Sequence, residues 1–373
     1  MKKIFSLICM ATFALSFVAC SDDDEVGAEY NRASTISVVK SDVLFSASAG
    51  TGTVVVRAQG PISFESSSEW CKTTALNDST LQVSVDDNEN NSGRSSQITI
   101  KSGVDSVNVT VQQQGFYLQS DMSTGAVLGD EACREAYAFS TSGTPTIAST
   151  ADWLSASVEG DSLVVTATGN ETGHMRQGYI KYTFGSYKDS VQVTQYDFDK
   201  DLAGNYYFAY YNASGQLYAL MGVLQQSEDG YVLSIPQLGF NIPVAFDAIN
   251  HQLTISAGSY LGDYTYSGTV YPTYTILGSS EAGYLTWSKS VKYAATFEYD
   301  EEEGVTIAEF GDVGSWQYVV DYLQFYLFKS NTLNSANRFG SIVTMYEPFL
   351  QKMDDSAGAR KRSFNAPKLS ILK

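Results

Sequence analysis

Histidine is almost absent from this sequence: His174 and His251 are the only two in 373 residues. Each stands alone, with no Cys/His pairing, no His-x-x-x-His zinc spacing and no nucleophile elbow in the chain. Basic residues are scarce as well. The 23 Lys and Arg face 41 Asp and Glu, for a net charge of -18. That charge repels phosphates, so nucleic acid is excluded as a partner, and a bare chain would not adhere to an anionic membrane. Cysteine is nearly used up outside any folded part: Cys9 lies in the first apolar stretch and Cys20 just after it, leaving Cys71 and Cys133. These two fall in different repeats and read as small buried thiols rather than a disulfide. Long apolar runs are missing except one, residues 4–18. What is present suits an exported globular protein of two or three domains, with 43% hydrophobic and 13% aromatic residues for its cores.

The single apolar run follows Lys2 and Lys3 and ends at Ala19 and Cys20. It is shorter than the ~20 residues a transmembrane helix needs and reads as a signal peptide over residues 1–19. The sequence Phe17-Val18-Ala19-Cys20 resembles a bacterial lipobox, with Phe17 where leucine is usual. That resemblance implies lipidation of Cys20 as the first mature residue; the alternative is an ordinary secretory cleavage. Residues 20–33, opening "CSDDDE", form an acidic tether whose like charges keep it extended.

An internal repeat fills the next 160 or so residues. Trp70 matches Trp153, Leu81 matches Leu163, Arg94 matches Arg176, Ile98 matches Ile180, and Gln113 matches Gln195, at offsets of 82 or 83. Both copies alternate apolar and polar residues over short runs broken by Asn, Gly and Ser clusters, the period of an antiparallel β-sandwich. The acidic residue before Trp, the Leu-x-Val run, the Asn/Gly loop leading to Arg and Ile, and the closing Val-x-Gln together resemble the BACON domain (Bacteroidetes-associated carbohydrate-binding often N-terminal). The resemblance spans residues 34–115 and 116–197 and implies two immunoglobulin-like sandwiches. Cys71 stands where the pattern has Leu or Ile, and the second copy lacks the final Gly. The family's name implies sugar binding, yet the matching residues do not deliver a site. Trp70 and Trp153 read as core residues, and Arg94 and Arg176 as braces of the preceding loop. The repeats then act as spacers. Lipoproteins of the bacteria carrying such domains place an acidic run after the lipidated cysteine, so the resemblance also implies an outer-membrane protein facing the exterior, with the periplasmic leaflet as alternative.

Residues 198–348 differ in chemistry, holding 18 of the 25 tyrosines. About ten strand-like runs and no convincing helix make this an all-β domain, either a lipocalin-like barrel or a sandwich. The run 316–328 reads as one long strand, and 297–310 as a hairpin turning at Asp300 to Gly304. The segment 260–278 offers Tyr260, Tyr264, Tyr266, Tyr271 and Tyr274 with Asp263; Pro272 and the glycines place part of it in an exposed loop. Aromatic rings edged by Asp or Asn suit the apolar faces and hydroxyl rings of sugars. Trp287 and Trp316 are further candidates. These residues point to a polysaccharide or mucin-type glycan, bound without catalysis and without a cofactor.

An enzyme finds little footing. The densest acidic cluster reads as a hairpin tip, "DDNENNSG" lacks the Gly and Glu spacing of a calcium loop, and His174 sits in an exposed loop. Residues 349–373 carry six Lys or Arg against Asp354 and Asp355 and read as a basic disordered tail. Two functions remain open. One is a surface glycan-binding lipoprotein, with a protein partner in a glycan-uptake complex. The other is a structural or interaction lipoprotein whose barrel takes a protein or a small apolar ligand.

Overall fold

The computed structural model describes residues 34–353. Cys20, the acidic tether and the tail beyond Met353 lie outside the described residues. Those described form 28 strands and two short helical turns, the all-β class expected from the alternation.

In the first copy, β1 (Ser37–Ser41), β2 (Leu44–Phe45), β3 (Gly50–Arg57), β4 (Ile62–Ser66), β5 (Cys71–Asn77), β6 (Thr80–Val85), β7 (Arg94–Ser102) and β8 (Asp105–Gln113) form a sandwich. Its sheets are ordered β1-β3-β6-β5 and β2-β8-β7-β4. The second copy repeats this with β9 (Leu118–Ser120), β10 (Ala126–Leu128), β11 (Cys133–Thr141), β12 (Thr146–Ser149), β13 (Leu154–Glu159), β14 (Ser162–Ala167), β15 (Arg176–Phe184) and β16 (Tyr187–Gln195). Here the orders are β13-β14-β11-β9 and β10-β16-β15-β12. Strands β7 and β15 are each nine residues long and begin at the repeat arginine; β8 and β16 are each nine long and end at the repeat glutamine. Contacts divide the chain into two compact units. One is most of the first sandwich; the other takes its loops 45–50 and 86–94 with everything from Gln113 on.

The repeat arginine and glutamine work as a pair. Arg94 Nε donates to Gln113 Oε1 (2.8 Å), and its Nη2 donates to the carbonyls of Asp86 (2.7 Å) and Asp87 (3.0 Å). Arg176 does the same to Gln195 (2.9 Å), Thr168 (2.7 Å) and Gly169 (3.1 Å). Buried Gln195 in turn donates from Nε2 to the carbonyls of Gly129 (2.9 Å) and Thr168 (3.1 Å). The pair satisfies loop carbonyls that the ladders leave free, so loop bracing is what the arginines do. Trp153 is half-buried against the second core with the Arg176 guanidinium 4.4 Å from its ring centre. Cys71 is buried, Cys133 half-buried, and both are free thiols.

The remaining strands are β17 (Gly204–Tyr211), β18 (Leu217–Ser227), β19 (Gly230–Ile235), β20 (Phe240–Asp247), β21 (Gln252–Ser256), β22 (Tyr260–Tyr266), β23 (Thr269–Ser279), β24 (Tyr284–Thr286), β25 (Lys292–Asp300), β26 (Val305–Asp312), β27 (Tyr322–Phe328) and β28 (Arg338–Lys352). Eight of them close an antiparallel barrel in the order β17-β18-β19-β20-β21-β25-β26-β28, with β28 returning to β17. A barrel is thus the architecture adopted. Its interior is filled by side chains, among them Tyr206, Phe208, Leu253, Phe297 and Leu350, all inaccessible to solvent. The Tyr206 hydroxyl is satisfied by the Leu202 carbonyl at 2.5 Å. Strands β22, β23, β24 and β27 are inserted between barrel strands and form a side sheet on the first half of β28.

Several expectations are corrected here. Residues 260–278 are a hairpin, not partly loop: Pro272 precedes Thr273, where β27 begins pairing with β23, so its missing N–H costs no ladder bond. The run 316–328 is a strand only from Tyr322; Asp312 accepts the Val320 amide (3.3 Å) and holds the preceding residues in a loop. The C-terminal domain does not end at Pro348. Residues Phe349 to Lys352 pair with β17 and β26, and Phe349, Leu350 and Gln351 are buried, so the tail begins after them. Its basic character hid a strand whose pairing is entirely long-range. His174 is half-buried, not exposed: its ring stacks on Tyr299 at 3.4 Å.

That stack belongs to a joint between second sandwich and barrel. Met175 and Tyr196 enter the barrel core, Tyr196 donates to the Ala248 carbonyl (3.0 Å), and Gln177 bonds His251 Nε2 (3.0 Å). In the connecting turn Phe198–Leu202, Asp201 is 1% exposed and accepts the Asp197 amide (2.9 Å). Burial pushes its carboxyl up to about 6 from the ordinary 3.8; neighbouring Asp130 adds to this and Lys352 opposes it.

Two outcomes follow from this architecture. Replacing Gln195 by Leu removes the acceptor of Arg176 Nε and the donor to the Gly129 carbonyl, while the Thr168 carbonyl keeps Arg176, and is expected to cost about 1–3 kcal/mol in chemical denaturation. For Asp201, the folded state binds more protons than the unfolded chain between the two pKa values. Its contribution is therefore fully present below pH ~4 and lost as pH rises to about 6. The melting temperature of Asp201→Asn, compared with the parent over this window, is expected to lack that fall.

Candidate functional site

A strand presents alternate residues to opposite faces, so the register of the side sheet decides which tyrosines stand together. Tyr264 lies opposite Tyr271, and Tyr266 opposite Thr269. This face turns toward the barrel. Tyr271 stacks on Phe339 (4.2 Å), Tyr264 packs on Phe240 (6.1 Å), and both seal the main core. Tyr266 stands at its edge, 5.9 Å from Phe339.

The opposite face is directed outward. Tyr260 lies opposite Tyr274, which lies opposite Tyr326 on β27. An irregularity between Tyr260 and Gly262 shifts the alternation and brings Asp263 to the same side as Tyr260. The Tyr260 hydroxyl donates to Asp263 Oδ1 (2.8 Å), and the Tyr274 hydroxyl donates to Asn331 Oδ1 (3.1 Å). Tyr274 is 8% exposed and Phe328 fully buried; with Ile276 they form the floor, and half-buried Trp287 and Tyr326 pack on it. Tyr260, 47% exposed, stands 5.4 Å from Tyr274 as the accessible ring. The five tyrosines and Asp263 thus form not one platform but two sets. Only Tyr260, Asp263 and Tyr274 join Trp287.

Two glycines make this face possible. Gly258 turns the chain from β21 into β22 at φ +69, and a Cβ there would lie 2.2 Å from the Trp287 carbonyl oxygen. Any side chain would push the Trp287 segment outward. Gly278 has no room for a Cβ because the Tyr322 ring lies over it, 2.1 Å from where that carbon would be.

Trp316 goes elsewhere. It packs on the main core and meets Tyr318 edge-on (5.0 Å), and Tyr318 stacks on exposed Tyr284 (4.9 Å). Val313 and Val319, in the same loop between β26 and β27 as Tyr318, are also exposed, which makes this loop a second, apolar patch. Asn331, Tyr326 and Tyr284 were not singled out in the sequence. Tyr326 is brought in by register alone, and Asn331 by the loop that follows β27.

The outer face can stack a flat apolar surface on Tyr260 and accept hydrogen bonds at its rim through Asp263 and Asn331. The bond to Asp263 raises the Tyr260 phenol above its ordinary 10.0, because it favours the neutral, donating form; burial and the carboxylate charge add to this. Burial, then Asp263, raises Tyr274 likewise. Asp263→Asn is expected to lower the Tyr260 titration toward the ordinary value, read by NMR of ring-labelled tyrosine between pH 8 and 12.

Residues 60–114 and 143–196 match the BACON family, described as "Putative binding domain, N-terminal". No curated protein matches the chain. Among solved structures, a chimeric titin Z1Z2 carrying an exogenous decorin peptide shares 9% identity, with 44% of this chain and 99% of that one covered at a TM-score of 0.28. The titin I-band fragment I67–I69 shares 10%, covering 74% and 94% at 0.25. An endo-fucoidan hydrolase of glycoside hydrolase family 107 shares 10%, covering 69% and 44% at 0.24. At such scores these likenesses carry no argument. Each of the two tandem sandwiches thus carries one match to the BACON model, whose description is of a binding domain.

Proposed function

We propose that this chain is a non-catalytic lipoprotein of the outer-membrane surface that binds carbohydrate, a polysaccharide or mucin-type glycan, through the outer face of its side sheet. The observation that carries this reading is Tyr260, half-exposed above Tyr274 and bonded to an exposed carboxylate. Sugars present C–H faces to such rings and hydroxyls to such rims. The apolar run ending in Phe17-Val18-Ala19 supports the anchor at Cys20, and the acidic run after it supports an exterior location. The two BACON domains serve as spacers, since their matched arginines and glutamines are spent on their own loops.

A second reading has one observation behind it. The patch of Tyr284, Tyr318, Val313 and Val319 is apolar enough to meet a protein, such as a partner in a glycan-uptake complex. A small apolar ligand inside the barrel is disfavoured, because aromatic side chains occupy its axis.

Affinity electrophoresis of the mature chain against immobilised polysaccharides and mucin separates these readings. Tyr260→Ala and Trp287→Ala are each expected to weaken binding about tenfold or more, ~1.4 kcal/mol, while Tyr266→Ala leaves it within about twofold. Equal loss from Tyr266→Ala, or retention in a chain reduced to the two BACON domains, would place the site elsewhere.

A further inference from the structure

The second sandwich carries a groove that the aromatic face does not account for. It encloses about 260 Å3 and opens between β9, the edge of its sheet, and the first half of β16. Strand β10 pairs only with Val193, Thr194 and Gln195, so that half of β16 stays uncovered on this side. Leu118 and Val191 give the groove apolar walls. Ser120, Ser123, Ser190 and Asp189 give it polar ones.

Tyr182 lies directly opposite Asp189, so the two side chains leave the same face of the sheet, and both line the groove. Tyr182 is 1% exposed, and its hydroxyl has no hydrogen-bond partner. Burial first, then the Asp189 charge, pushes this phenol up to about 12, so it stays neutral. Asp189 accepts the Tyr187 hydroxyl (3.2 Å) and the Ser190 amide (2.8 Å), which leaves acceptor capacity on a carboxylate.

The repeat supplies a control. At the offset of 82, the first copy has Ile100 and Val107 where the second has Tyr182 and Asp189, and Ile100 is fully buried. The sandwich therefore folds with an apolar pair here. A buried hydroxyl left unpaired is a net cost to folding. That cost is offset only if something else bonds to it.

We propose that this groove binds a primary ammonium group on a short aliphatic stem, the form in which a protein presents a lysine side chain. Asp189 is the one formal charge among the lining residues. Charge-assisted bonds are about twice as strong as neutral ones, so the carboxylate selects a cation over an alcohol. The Tyr182 oxygen accepts a second ammonium proton, and Leu118 and Val191 cover the methylenes.

The test titrates Nα-acetyl-lysine amide and cadaverine into the mature chain, followed by NMR. Saturable binding of the lysine derivative is expected, weakened about tenfold by Asp189→Asn and roughly three- to tenfold by Tyr182→Phe. Binding of cadaverine alone would keep the ammonium site but assign it to free amines. Tyr182→Phe is also expected to leave the melting temperature unchanged or raised, since it removes an unpaired hydroxyl; a purely structural tyrosine would lower it. No saturation by either amine overturns the proposal. So does equal binding of the uncharged Nα,Nε-diacetyl-lysine amide, or affinity untouched by Asp189→Asn.

Discussion

The C-terminal half depends on one strand serving two sheets. The residues of β28 up to Tyr346 pair with β27, and those after it pair with β17 and β26. Tyr346 itself lies opposite both Tyr211 and Tyr322. The passage is made at Glu347, held at φ +44 with its amide on the Asp321 carbonyl (3.1 Å), and at Pro348, which has no N–H to lose. Without this strand the barrel has two open edges and the side sheet has no attachment.

That arrangement explains why the tyrosines serve two purposes. A sheet fixed along one edge to a packed barrel must turn one face inward, and Tyr264 and Tyr271 fill it. The other face builds a small core of its own from Tyr274, Ile276 and Phe328, apart from the main core, and stands open at Tyr260. Burying an aromatic side chain is worth ~1.5–3 kcal/mol, which accounts for the inner set. The outer set instead spends its polar groups on one another, Tyr260 on Asp263 and Tyr274 on Asn331. Arrangement of polar partners around a half-exposed ring is a property of recognition surfaces.

Much of this was legible in the sequence where the determinants are local or repeated. The sandwiches follow from period-two alternation, and the loop role of Arg94 and Arg176 from their place after an Asn/Gly cluster. The hairpin at Asp300 was readable too: its carboxylate accepts the amides of Glu302 and Glu303 at 2.9 and 3.0 Å. What could not be read was register. Tyr260 and Tyr264 are four residues apart and fall on opposite faces because of a one-residue irregularity that no local pattern announces. Strand β28 was hidden because Pro348 and the basic residues after it read as an ending. Asn331 and Tyr326 enter the site only through long-range pairing.

The central claim is that the outward face of the side sheet, not the inward one, is the surface that recognises glycan. Ring-labelled tyrosine and tryptophan NMR of the protein, with and without a bound oligosaccharide, tests it directly. The account predicts shifts at Tyr260, Tyr274 and Trp287 with Tyr264 and Tyr271 unmoved. Shifts confined to Tyr264, Tyr266 and Tyr271, or to residues of the two BACON domains, would contradict it.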